Sequence, residues 1–403
     1  MPLDVRIISP ETHREFVSHT PALGLDVSFL QIPEWAGAKS EWGNMSIGWF
    51  DGDTQVGAGL VLSRKVPKSR LWLAYLPEGP VVDWAKYPVA EIVQPMLDLL
   101  KGQGAFMVKM GPTIPVRSWE AKNLKDAIAA AKSEHVAPIH SLRLRDVKAD
   151  NEFEVGQSVI AQLKAFGFTQ QPDTGAGFGD VQPRYVFQVP LEGRTQDEIF
   201  AGFNQLWRRN IRKADKLGVE IVDGTREDLA EFHPLYVETA ERDGFVPRGL
   251  EYFEQMWDSL NEFDARTMRL YIARHEGKAL AATTTVQVGP HSWYSYGASA
   301  NAGREVKPSN AIQWRMITDA LDNGATVYDL RGISDTLDES DPLFGLIRFK
   351  LGTGGTAVEY VGEWDYALRP GVAKAFDLYM RRREIAANVK GMFGKGRKGE
   401  EAA

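Results

Sequence analysis

Lys350 ends the apolar stretch LFGLIRFKLGTGG (residues 343–355), after Phe349 and just before Gly352, Gly354 and Gly355. Such a lysine is either the polar end of a helix or an ammonium facing a reacting group, where it would stabilise developing negative charge. Three further groupings have comparable reach. FLQIPEWAGAKSEWG sets Trp35, Lys39 and Trp42 within two helical turns. Indole faces beside an ammonium suit a planar or sugar-like ligand bearing a phosphate, though the same residues also fit a core with a lysine stem laid over it. ERDGFVPRGLEYF puts Arg248 one helical turn before Tyr252, so a fork of donors beside a phenol could clasp a phosphate or carboxylate. An ordinary surface pair is the alternative. In YDLRGISD, Asp329 lies on a strand and Arg331 at its exit, where open sheets place ligand groups or where the two would brace each other.

A further pattern is electrostatic. A helix is expected from Thr195 to the stop at Gly218, opened by Thr195 and Glu198 at capping-box spacing. Ile199, Phe203, Leu206, Asn210, Ala214 and Leu217 recur at three- and four-residue steps and define an inward stripe. Arg208, Arg209, Arg212, Lys213 and Lys216 take the other side, against Asp215 alone. That face could hold nucleic-acid phosphates, or be a solvated surface whose cations suit the C-terminal end of the helix dipole. A second basic group, Arg381, Arg382, Arg383, Lys390, Lys395, Arg397 and Lys398, lies near the C-terminus; it could touch anionic lipid or RNA or form a soluble tail.

The elements that must position these residues come in two sets. MSIGWFDGDTQVGAGL from Met45 and MRLYIARHEGKALAAT from Met268 each read as a strand, a tight turn around Gly52 or Gly277, and a returning strand. LWLAY (Trp72, Tyr75) and SWYSY (Trp293, Tyr296) follow with the same W-x-x-Y step. Each set then offers a helix ending near a Gly-Ala pair, Gly104-Ala105 and Gly324-Ala325, and another apolar strand. The order and nearly constant separation imply an α+β protein made of two tandem duplicated acetyltransferase-like domains. RYVFQVPLEG ends a strand at Pro190, so the expected division is 1–190, 191–368, and a C-terminal helix and basic tail over 369–403. The phosphate-cradling R/Q-x-x-G-x-G/A turn of acetyl-CoA users is missing; in QVGAG the glycines come one residue too early.

Composition narrows the classes. Across 403 residues, 43% are hydrophobic, which supplies two cores, and the formal charge of −7 is not that of a bulk nucleic-acid binder. There is no cysteine, and the seven histidines show no ligand spacing, so neither a disulfide nor a protein-held metal is expected. No long apolar run and no signal-peptide pattern appear, so a cytoplasmic protein is expected.

Taken in order, FLQIPEWAGAKSEWG, LWRRNIRKADKLGVEI, YVETAERDGFVPRGLEYF, WYSYGAS, PSNAIQWRMITDALDNGATVYDLRGI and GLIRFKLGTGGTAVEYVGEWD resemble the FemABX family of nonribosomal peptidyltransferases. The resemblance covers most of 29–52 and 190–370. It implies an aminoacyl-tRNA donor as co-substrate, no other cofactor, and a peptidoglycan precursor as acceptor, lipid-linked or nucleotide-linked. An amino acid would pass to the side-chain amine of the stem peptide's third residue, beginning or extending an interpeptide bridge. By position in the matching motifs, Lys350 resembles the family's functional lysine, with Phe349 beside it. Lys39 and Trp42 resemble residues that hold the precursor, Arg248 and Tyr252 the Arg-x-x-x-Tyr on its phosphates, and Tyr296 a pocket tyrosine. Asp329 and Arg331 join this substrate-facing set, and Arg208, Arg209, Arg212, Lys213 and Lys216 would face tRNA. A lipid-linked acceptor would bring peripheral contact with the inner face of the plasma membrane.

Two departures accompany the resemblance. The long helical arm of some members is absent between Tyr252 and Met268, and VKMGP places Gly111 where a side chain lining the precursor groove is expected. Residues from about 113 to 160 match nothing in the family. Three other functions fit the sequence: an acyl-CoA-dependent N-acyltransferase, aminoacyl-tRNA-dependent transfer to a small metabolite or protein, and a catalytically silent tRNA- or envelope-binding module.

Overall fold

The computed structural model describes residues 2–66, 68–133, 142–172, 182–339, 341 and 343–378. The basic group from Arg381 to Lys398 lies outside the described residues. The strands are β1 (Asp4–Ile8), β2 (Gly43–Asp51), β3 (Thr54–Lys65), β4 (Trp72–Leu76), β5 (Val81–Val82), β6 (Ala105–Met110), β7 (Pro115–Glu120), β8 (Asn151–Glu152) and β9 (Thr169–Gln170). They continue as β10 (Tyr185–Pro190), β11 (Glu220–Gly224), β12 (Met268–His275), β13 (Lys278–Val288), β14 (His291–Ser299), β15 (Val327–Gly332), β16 (Thr356–Tyr360) and β17 (Trp364–Tyr366). One sheet runs β1-β2-β3-β4-β6-β17-β9, with β5 on β3; the other runs β11-β12-β13-β14-β15-β10-β16-β7-β8.

The duplication read from the sequence is present strand by strand. Each set has a leading strand, an antiparallel hairpin (β2–β3 or β12–β13) and a third antiparallel strand. A helix, Val89–Gly102 or Pro308–Asp322, then crosses over to a parallel strand, pairing β4 with β6 and β14 with β15. This is the acetyltransferase-like α+β fold, twice. Local chemistry sets the turns: Glu276 and Gly277 are both left-handed, at φ 51° and 75°, as a two-residue hairpin turn twisted with its strands requires. β13 is buried over most of its length and β3 over its central half because helices and the other half cover both faces, so these stretches do not alternate.

The expected division at 190/191 does not separate the sheets. β17, from the second span, pairs with β6 in the first sheet, while β7 and β8, from the first span, extend the second sheet beyond β16. The unplaced region after residue 113 thus supplies an edge to the second sheet, with the helices Ala121–Ser133 and Glu154–Phe166 against it. The halves also share one core: Phe29, Trp35, Leu60 and Tyr75 pack with Phe232, Phe253, Leu270 and Trp293.

The single helix expected from Thr195 to Gly218 is two. The Thr195–Glu198 capping box opens the first, Gln196–Gly202, as expected. Phe203 is extended, and the Asn204 side chain accepts from the Trp207 amide to start the second, Gln205–Lys216. This break changes the phase of the buried stripe. Trp207, Ile211 and Ala214 face inward, and Leu206 and Leu217, expected inside, are 52% and 42% exposed.

Candidate active site

Lys350 lies in the last turn of the helix Phe344–Leu351, whose Ile347 and Leu351 enter the second core. It is a helix end, yet its side chain is not at the surface; the residue is 3% exposed. Nζ donates to the carbonyl oxygens of Gly332 at 2.6 Å and Arg331 at 3.2 Å. Burial lowers the pKa of Lys350 to about 7, with Asp329 favouring the ammonium and Arg331 opposing it. The helix is placed by its neighbour: Trp207 Nε1 donates to the Phe349 carbonyl at 2.9 Å, and the two rings lie 4.6 Å apart. A Cβ on Gly352 would sit 2.2 Å from Trp207, so only glycine admits this close approach.

Asp329 and Arg331 flank the lysine, but they are not a simple mutual brace. The Asp329 carboxylate accepts from the Arg331 amide and from Gln188 Nε2, and lies 3.5 Å from His291 Nε2. Burial favours its protonation, but His291, Arg331 and Gln188 outweigh that and hold its pKa below the ordinary value. The Arg331 guanidinium turns away, to Glu78 Oε1 at 2.9 Å and Gln182 Oε1 at 3.0 Å, and lies 5.8 Å from the Phe29 ring. Glu78 follows β4 in the first sheet, so this ion pair joins the two halves.

The first-half aromatic group meets the second-half one. Trp35 lies on a four-residue helix, Trp35–Ala38, and Lys39 caps its end, a shorter element than the two turns expected. Gly37 presses this helix onto Leu250–Leu260, where an added Cβ would clash with the Ser259 hydroxyl. Lys39 Nζ then lies 5.3 Å from the Trp35 ring and 5.2 Å from the Tyr252 ring. Arg248 approaches Tyr252 to 4.5 Å, and the Tyr252 and Tyr296 hydroxyls are 3.1 Å apart. Burial pushes the Tyr252 phenol well up, so it remains a hydrogen-bond donor at neutral pH.

These two groups are continuous. Phe29 touches both Trp35 and Arg331. On the other flank, Trp42 lies 6.3 Å from Tyr75, whose hydroxyl donates to Glu363 at 2.6 Å. Glu363 in turn accepts from the Gln182 amide at 3.2 Å. Lys39, Trp42, Arg248, Tyr252, Tyr296, Asp329, Arg331 and Lys350 are therefore linked in one contact network where the halves meet. Phe349 lies behind it, against the basic helix.

On that helix the cations divide. Arg208 donates to the Ala201 carbonyl at 2.7 Å and Arg212 lies 5.2 Å from the Phe200 ring, both turned toward the preceding short helix. Arg209, Lys213 and Lys216 are exposed along another face.

Sequence reasoning missed Glu78, Gln188, Tyr75, His291 and Glu363. Glu78 had a readable signal, a carboxylate in the turn LPEGP between apolar strands. Glu363 had a partial one. A Cβ on Gly111 would lie 2.9 Å from Glu363, so this carboxylate occupies the space where a side chain at 111 was expected. Burial raises the pKa of Glu363.

The FemAB family model matches residues 8–275 and 270–381, and the chain belongs to that family. Among curated relatives, a lipid II:glycine glycyltransferase of Staphylococcus saprophyticus is 25% identical, over 90% of this chain and 92% of the relative. One from Staphylococcus aureus strain MRSA252 matches with the same identity and coverage. Among solved structures, FemX superposes with a TM-score of 0.74 at 24% identity, over 92% of this chain and 99% of FemX. That likeness establishes the fold. Among the described residues, no helix is long and apolar enough to cross a membrane.

Proposed function

We propose that this aminoacyltransferase moves an amino acid from aminoacyl-tRNA to the side-chain amine of the stem peptide's third residue in a peptidoglycan precursor, building the interpeptide bridge. The observation that carries the reading is the continuity of that contact network. Phosphate-compatible cations at Lys39 and Arg248 connect, through Phe29 and Arg331, to Lys350, and the helix of Lys350 is braced on a basic helix suited to RNA. The name of the relatives makes glycine and lipid II the first donor amino acid and acceptor to offer. A lipid-linked acceptor brings the protein to the inner membrane surface as a peripheral visitor.

The donor ester carries its own activation, so the protein supplies position and charge. The free amine attacks the ester carbonyl, the C–N bond forms, and the carbonyl oxygen becomes an oxyanion. The C–O bond to the tRNA ribose then breaks, and the amine's proton leaves with the ribose oxygen. As an ammonium, Lys350 gives two N–H groups to the Arg331 and Gly332 carbonyls and keeps a third for that oxyanion. Asp329 favours the charged form.

The test offers purified protein a pool of charged tRNAs with lipid-linked and nucleotide-linked precursors, and acetyl-CoA in parallel, then weighs the products. The expected result is a precursor heavier by an amino-acid residue, dependent on charged tRNA. Acylation from acetyl-CoA alone, or no transfer, overturns the reading.

A further inference from the structure

Among the described residues, five non-glycine positions have left-handed backbone: Lys68, Glu78, Glu276, Lys307 and Arg331. Lys68 and Glu276 are exposed, and Lys307 caps the helix Pro308–Asp322. The remaining two, Glu78 at φ 53° and Arg331 at φ 63°, come from opposite halves and are each other's ion-pair partners at 2.9 Å. Side chains rarely tolerate this conformation, and it persists where surrounding contacts over-determine it.

Both sides show that over-determination. The Gln31 amide donates to the Pro77 carbonyl at 2.7 Å and accepts from the Leu60 amide at 3.0 Å. Ser28 Oγ donates to the second Glu78 oxygen at 2.5 Å. Across the interface, Asp329 takes the Arg331 amide, Gln182 takes the guanidinium, and Lys350 Nζ takes the carbonyl. The backbone conformation at residue 331 helps set where its own carbonyl and that of Gly332 point, and those are the two oxygens that hold Nζ.

We propose that Glu78 is a positioning residue for Lys350: it clamps the Arg331 guanidinium, keeps residue 331 left-handed, and so aims two carbonyls at the Lys350 amine. The inference rests on the role given to Lys350 above. Glu78 touches no reacting atom, and its action runs through Arg331. Because the pair spans the halves, the lysine is correctly aimed only when both halves are docked.

The electrostatics give the test a sign. The charged and titratable groups around the amine are Asp329 and Arg331, then His291 and Glu78 one contact further, and Tyr360 through Gln188. Arg331 opposes the ammonium, and Glu78 offsets Arg331. Removing the Glu78 charge therefore leaves Arg331 unopposed and favours loss of the lysine proton, whereas removing the Arg331 side chain does the reverse.

The experiment measures kcat across pH, at saturating substrates, for the full-length enzyme, Glu78→Gln, Arg331→Gly, Lys350→Met and the double variant Glu78→Gln/Lys350→Met. Glycine accepts a left-handed backbone, so Arg331→Gly removes the clamp without adding strain and serves if Glu78→Gln does not fold. Glu78→Gln is expected to lower kcat about tenfold with KM changed by less than about threefold. The pH limb near 7 moves down in Glu78→Gln and up in Arg331→Gly. In the Lys350→Met background Glu78→Gln costs nothing further, because residues acting as one unit are not additive. A wild-type kcat and limb in Glu78→Gln, or the same tenfold loss in both backgrounds, overturns the positioning role while leaving a defective Lys350→Met to support the lysine. Normal turnover in Lys350→Met overturns the role of the lysine itself.

Discussion

Lys39 and Arg248 lie against aromatic faces, 5.2 and 4.5 Å from the same Tyr252 ring, whereas Lys350 and Arg331 are fixed by oxygen atoms. A ring face attracts a cation without consuming any particular N–H. Such contacts leave a side chain's direction loosely set, and Arg248 sits at an exposed loop end with Tyr296 as a further partner of its side chain. Carbonyl and carboxylate partners do the opposite, specifying direction. The aromatic group thus suits holding a variable, flexible acceptor, and the oxygen-held group suits a step in which one N–H must meet one reacting atom. The duplication sharpens this lesson. Both halves run parallel strands to the interface, yet the first half contributes a glycine, Gly111, just past β6, where the second contributes Gly332 with Arg331 and Lys350 beside it.

Substitutions at the two groups should fail in different ways. Lys350→Met should have the largest effect, about a hundredfold loss of kcat with little change in KM, as expected for a donor worth roughly 3 kcal/mol at an oxyanion. Arg248→Ala should raise KM for the precursor about tenfold and leave kcat within about twofold, the mark of holding rather than reacting; a larger fall in kcat than rise in KM would merge the groups. Charge reversal at Arg209 and Lys213 should weaken tRNA binding and flatten its salt dependence by about one unit of slope per lost phosphate contact. Arg208→Glu should do less, since that side chain is tied to the Ala201 carbonyl. The smallest effect is on stability. The folded-state pKa of Lys350 is lowered to about 7 from 10.5, so between those values the unfolded chain binds the extra proton and stability rises with pH. The gain is at most about 1.4 kcal/mol per pH unit. Chemical denaturation from pH 7 to 9 should show this rise in the wild type and a weaker one in Lys350→Met.

The repeated hairpins and the capping box at Thr195 were legible because each rests on local chemistry: turn residues and a reciprocal cap. The family resemblance drawn from ordered motifs also agrees with the whole-chain match. The break at Phe203–Asn204 was hidden because the apolar period runs through it. What ends the first helix there is tertiary: Asn204 donates its amide to the Gly352 carbonyl, and Trp207 fills the space that glycine leaves. The exchange of β7 and β17 between sheets was equally invisible, since nothing in a strand's sequence names its partner. Glu78 escaped notice for a related reason. Its meaning comes from Arg331, on the facing half, and no spacing rule links them.

The most direct test of the account is the single-turnover rate of transfer from pre-bound aminoacyl-tRNA and precursor, measured from pH 6 to 9 in wild type and Lys350→Met. Comparing the two cancels the titration of the acceptor amine. The account predicts that the wild-type advantage is largest below pH 7 and shrinks as pH climbs through about 7, where Lys350 loses its proton. A ratio that stays constant across that range, or rates that coincide throughout, would contradict it.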